Sequence, residues 1–118
     1  MAYVDGFLLA IPARKLALYR RIATKAGKVW MDHGALEYRE CVGDHLVQKG
    51  SAAFQKRARA KKGELVVFSW IVYKSRAHRD KILPKIMQDK RLTSMGPEAM
   101  PFDMKRMSYG GFKILVDL

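Results

Sequence analysis

Between Glu64 and Lys74 the chain reads LVVFSWIVY, nine apolar or near-apolar residues rich in β-branched and aromatic types. That composition predicts a strand. Side chains alternate across a strand, so Leu65, Val67, Ser69, Ile71 and Tyr73 share one face and Val66, Phe68, Trp70 and Val72 the other. Neither set suits water, which places this strand inside a sheet with both faces covered. A chain of 118 residues has room for a pair of helices, enough for one face. The other face then needs a partner or a ligand.

The flanking sequence supplies the rest of a small α+β unit. YVDGFLLAIP, Tyr3 to Pro12, is an apolar run closed by proline and predicts the first strand. From Ala13 the period changes. Leu16, Tyr19, Ile22, Ala23, Ala26, Val29, Trp30 and His33 recur at helical spacing, and Gly34 is a usual helix stop. LEYRECVG, Leu36 to Gly43, alternates and predicts a second strand nearer an edge, with Leu36, Tyr38, Glu40 and Val42 on one face. His45 to Gly63 has no period and reads as a long basic hairpin loop with a helical turn around Ala52 to Lys56. After the central strand, Glu64 to Lys74, Ser75 can cap a second helix whose core face is Ile82, Leu83, Ile86 and Met87. Pro84 inside it predicts a kink or a break, because proline removes the bond back to Asp80. Lys90 to Met107 reads as loop, and Ser108 to Val116 as the last strand. The order βαββαβ predicts a ferredoxin-like sandwich: one domain over residues 1–118, an antiparallel four-stranded sheet in the order 4-1-3-2, and both helices on one face.

Composition narrows the function classes. The single cysteine, Cys41, excludes an internal disulfide framework, and no Cys/His spacing suggests a metal, so no cofactor or metal is expected. No apolar run approaches the ~18 residues of a membrane span, and the opening MAYVDGFLLAIPARK puts an acid where a signal peptide needs basic residues. A cytoplasmic protein without membrane contact is the expectation. The net charge of +12 attracts polyanions. Its densest run, QKRARAKK, makes Lys56, Arg57, Arg59, Lys61 and Lys62 the candidate nucleic-acid contacts. No aromatic residues interleave with that charge to form a stacking platform, so nonspecific polyanion binding at low salt is the expected behaviour.

Four stretches, YVDGF, GKVWMDHGALEYRECVGD, VVFSWIVYKSRAHRD and MPFDMKRMSYGGF, resemble the YbaA-like family of small bacterial proteins of unknown function. The resemblance covers nearly the whole chain. It implies membership of the dimeric α/β-barrel group, in which two ferredoxin-like sheets pack face to face, and so a homodimer. Some members of that wider group are small monooxygenases and others bind haem, but fold-level analogy assigns no chemistry. The chain departs from the family pattern at Pro84 and in its basic content.

Candidate site residues follow from residue type and position. Asp5 is an acid inside an apolar strand, either aimed into a cavity or paired with Arg39 or Arg106. Trp70, Tyr73 and Phe102 are aromatics able to line a pocket, and Arg39 and His78 lie near strand and helix ends beside them. His78 is placed where haem could be met in the wider group, with nothing else framing a haem pocket. His33 reads as a hydrogen-bonded packing residue, Cys41 as a packed thiol, and the glycines of YGGF as a site of close strand packing. No GxSxG elbow or triad is present, which disfavours hydrolase chemistry. The expected function is binding of a small apolar or aromatic ligand by a homodimer. A cofactor-independent monooxygenase and an RNA binder acting through the basic loop are the alternatives.

Overall fold

The computed structural model describes residues 1–50, 53–96 and 100–118. Strand β1 (Tyr3–Pro12) leads through a 3-10 turn (Ala13–Lys15) into α1 (Leu16–Asp32). Then come β2 (Glu37–Val42), a single helical turn α2 (Phe54–Arg57), β3 (Glu64–Tyr73), α3 (Arg76–Met87), the short α4 (Lys90–Thr93), a 3-10 turn (Met104–Arg106) and β4 (Ser108–Lys113). The sheet runs β2-β3-β1-β4, antiparallel at every pair, which is the ferredoxin-like order expected from the sequence.

Register fixes the two faces. Tyr3, Asp5, Phe7, Leu9 and Ile11 of β1 stand opposite Tyr73, Ile71, Ser69, Val67 and Leu65 of β3, and this face is covered by α1 and α3. One core cluster joins Val29, Ala35, Ile71, Tyr73, Ile82 and Ile86, and a second joins Leu9, Ile11, Tyr19, Ala23 and Val67. The opposite face carries Val4, Gly6 and Leu8 with Val72, Trp70, Phe68, Arg39 and Phe112. Ala10, Val66 and Ala58 are buried, and Phe54 of α2 meets Phe68 edge-on at 6.2 Å, so the β2–β3 connection shields one end. Elsewhere the face is open: Phe68 is 46% and Phe112 62% exposed.

Element ends show local chemistry at work. Gly34, at φ +111°, closes α1 in the left-handed region that glycine enters without strain. Ser75 caps α3 by accepting the His78 backbone N–H at 3.0 Å. The helix runs through Pro84 to Met87 instead of breaking, since only one bond is removed and Ile82 and Ile86 on its inner face stay fully packed. Met87, expected in the core, is 54% exposed because it lies in the last helical residue, beyond the sheet contact. The segment read as loop from Lys90 contains α4, capped by Asp89 through the Arg91 N–H. The last strand stops at Lys113, short of Val116, where pairing with Tyr3 ends. In the expected helical turn Ala52 lies outside the described residues; the turn itself spans Phe54–Arg57.

Candidate functional site

Asp5 is 1% exposed, the deepest acid among the described residues. Its partner is neither Arg39 nor Arg106. Arg39 sits on the open face opposite Trp70, where it reaches Glu37 at 3.4 Å and donates to the Tyr38 carbonyl at 3.4 Å. Arg106 is held by Glu64 through two bonds of 2.7 and 2.8 Å. Asp5 is instead met by Arg79 of α3, whose Nε and Nη2 donate to Oδ1 at 3.2 and 3.1 Å. The guanidinium also lies 5.2 Å from the centre of the Tyr3 ring. Gly111, opposite Asp5 on β4, makes this possible: a Cβ there would stand 2.7 Å from Arg79 Nη2. Burial first, and then the charge of Asp5, pushes the Tyr73 phenol up, so its hydroxyl stays protonated and accepts from Trp30 Nε1 at 3.0 Å. Arg79 Nη1 also donates to Asp80 at 2.7 Å.

A second arrangement is open. Between α1 and the helix-facing side of β2 lies a groove of about 680 Å³. Leu16, Ala23, Gly27 and Met31 form one wall, with Val42 and Val67 on the sheet side. Alternation puts Tyr38 and Glu40 on the same side of β2, and helical spacing turns Tyr19 toward them. Tyr19 Oη donates to Glu40 Oε1 at 2.7 Å and Tyr38 Oη to Oε2 at 2.8 Å. Both phenols are pushed up, by burial first and then by Glu40, so at neutral pH they remain donors that fix the carboxylate. A carboxylate offers about four acceptor positions, so two remain for a further donor. Arg20, Thr24 and Lys28 stand along the outer lip, and Asp32 at one end is engaged by Arg91 at 2.6 Å.

The candidates named from sequence fall in separate places. Asp5 and Tyr73 lie under α3, whose first turn carries His78, with the Tyr73 and His78 rings 6.5 Å apart. His78 Nδ1 accepts the Lys74 N–H, tying the helix start to the strand end. Arg39 and Trp70 are register neighbours on the open face, and Phe102 packs edge-on against Tyr19 at 6.0 Å. They do not converge on one concavity, and none of them lines the groove. The residues themselves suggest an interface salt-bridge set of Glu37, Arg39 and Glu40. Arg39 pairs with Glu37 at 3.4 Å, while Glu40 is held by Tyr19 and Tyr38, a grouping that sequence reasoning missed although an acid on the inward face of an edge strand was the available signal. Of the basic loop, Lys56, Arg57, Arg59, Lys61 and Lys62 are all exposed, and Arg59, at φ +52°, also donates to the Lys105 carbonyl at 2.8 Å. His33 bonds Asp89 at 3.0 Å, joining the end of α1 to α4. Among the described residues no helix is long and apolar enough to cross a membrane.

The family described as DUF1428, protein of unknown function, matches residues 2–104. The uncharacterized protein YbaA of Escherichia coli K12 is 44% identical over 117 residues, covering 99% of each chain. Among solved structures, an uncharacterized NIPSNAP domain protein from Burkholderia xenovorans superposes with a TM-score of 0.59 at 15% identity, covering 95% of this chain and 93% of that one. The cofactor-independent oxygenase SnoaB from Streptomyces nogalater superposes with a TM-score of 0.51 at 12% identity, covering 99% and 96%. At these identities the two structures show a shared fold.

Proposed function

The chain belongs to the DUF1428 family of proteins of unknown function, and we propose that this member binds a small, largely apolar molecule bearing an N–H or O–H donor in the groove between α1 and β2. The observation that carries the reading is Glu40, held at both oxygens by Tyr19 and Tyr38 at the side of a concavity with apolar walls and a polar outer lip. Its size lies within the ~300–1,000 Å³ of ordinary ligand sites, and its make-up, apolar walls with a few fixed polar groups, is that of a selective one. An aromatic alcohol or amine would bury its ring against Leu16, Met31 and Val42, the wall residues that still present apolar surface, and donate to Glu40. The open sheet face supports a second element, a homodimer in which two such faces meet, since Phe68 and Phe112 are too exposed for a face finished by its own chain.

The test of the groove is a thermal-shift and heteronuclear NMR titration with paired probes: 2-naphthol and 2-naphthylamine, each against its methylated counterpart. The donors should raise the melting temperature with concentration by mass action and move the amide signals of α1 and β2, while the capped compounds do neither. Filling the groove with Ala23→Leu should abolish the response. Equal binding of capped and uncapped probes, or signals moving elsewhere, would remove the proposal.

A further inference from the structure

Beyond β4 the chain continues as ILVDL, and this segment has no cover of its own. Leu115 is 94% exposed, Val116 69%, and Leu118 fully so, which makes Ile114–Leu118 the most apolar exposed run among the described residues. Apolar surface is worth roughly 25 cal/mol per Å² when it leaves water, so such a run is unusual unless something receives it.

The area of the open face says what receives it. Four strands at ~4.8 Å spacing, two of them only six residues long, give a patch on the order of 20 × 20 Å, about 400 Å² per protomer, outside the end shielded by Ala58. A stable interface takes about 800 Å² from each partner. The face alone therefore supplies about half. An extended five-residue segment reaches ~17 Å and carries several hundred Å² of mostly apolar surface, which makes up the difference.

Building on the homodimer proposed above, we infer that Ile114–Leu118 is an exchanged arm: each protomer lays Leu115, Val116 and Leu118 onto the open sheet face of a second copy of this chain, beside Phe68 and Phe112. The arm leaves from β4, the strand that bears Phe112, so its docking is continuous with the face it extends.

The experiment compares the full chain with a variant ending at Lys113 and with Leu115→Asp/Val116→Asp/Leu118→Asp, by sedimentation equilibrium over a dilution series. In parallel, isotope-filtered NOE spectra of the unaltered protein, mixed from labelled and unlabelled protomers, look for contacts from the Leu115, Val116 and Leu118 methyls to the Phe68 and Phe112 rings of the other protomer. The expected result is a full-chain dimer with intermolecular contacts, weakened about thirtyfold to a hundredfold in both variants. A full-chain dimer lacking those contacts, or unchanged in either variant, would overturn the arm and leave the dimer standing. A full chain that is monomeric at micromolar concentration would remove both. The NOE arm needs no variant, so a deletion that fails to fold still leaves a decisive readout.

Discussion

Arg79 reaches back over 74 positions of sequence to place two guanidinium nitrogens on one oxygen of Asp5, whose carboxylate is 1% exposed. The pair joins α3 to the middle of the sheet. Taking both charges from water is costly, and their attraction offsets this only while both are present. Arg79→Met should therefore destabilise the protein by about 3–5 kcal/mol in urea denaturation, because an unpaired buried carboxylate remains. The paired replacement Asp5→Leu/Arg79→Met should recover most of that loss. A simple sum of the single effects in this double-mutant cycle would show that the two groups do not act together.

Glu64 gives the pH dependence. Two hydrogen bonds from Arg106, joined by the Lys61 backbone N–H, hold its carboxyl down from 4.5 to about 2, against the effect of burial. A carboxyl lowered on folding contributes stability that is complete above its unfolded value and disappears as pH falls through its folded one. Wild type should therefore lose this contribution between about pH 4.5 and pH 2. Against Glu64→Gln, melting curves should differ most near pH 7 and converge toward pH 2. A gap that stays constant over that window would mean the ion pair contributes through shape alone.

Trp70 tests the proposed homodimer. The alternation of β3 put Ser69 and Trp70 on opposite faces, and register assigns Ser69 to the helix-covered side, 5% exposed, and Trp70 to the open side. Light scattering should return twice the 13.5 kDa chain mass at micromolar concentration. Trp70→Lys should shift it to the single mass, since a lysine there would be desolvated without a mate. Ser69→Lys should instead unfold the chain. A Trp70→Lys protein that stays dimeric places the contact elsewhere.

The fold was legible because it rests on periodicity. LVVFSWIVY reads as an inner strand from its β-branched and aromatic content, and the change of period at Ala13 marks the first crossover. The site was less so, because it depends on pairs distant in sequence. Asp5 announced itself as a buried acid, but which arginine meets it depends on where α3 lies over the sheet, and Arg79 stands in the polar run RAHRDK beside Arg76 with nothing local to distinguish it. Tyr19 belongs to the periodic face of the first helix and Tyr38 and Glu40 to one face of the second strand, and only the approach of α1 to β2 makes them one unit.

Gly27 sets the width of that approach. It is buried in α1, and a Cβ added there would stand 2.8 Å from both Cδ1 and Cε1 of Tyr38. In an exposed helix, glycine to alanine gains about 1 kcal/mol. Here the ring cannot turn aside freely, since its hydroxyl is bound to Glu40 at 2.8 Å and Trp30 packs 6.2 Å from its centre. Forcing a methyl into such contact costs about 1–3 kcal/mol, so Gly27→Ala should be destabilising on balance by up to about 2 kcal/mol. Helix propensity and packing then have opposite signs at one position, which a second substitution separates. In a Tyr38→Leu background the obstructing ring is gone, and Gly27→Ala should become stabilising by the propensity difference of about 1 kcal/mol. Denaturant midpoints of the four proteins would measure that change of sign. If Gly27→Ala costs the same with and without the ring, the narrow contact between α1 and β2 is not what requires glycine. The groove beside it would then owe its width to other residues.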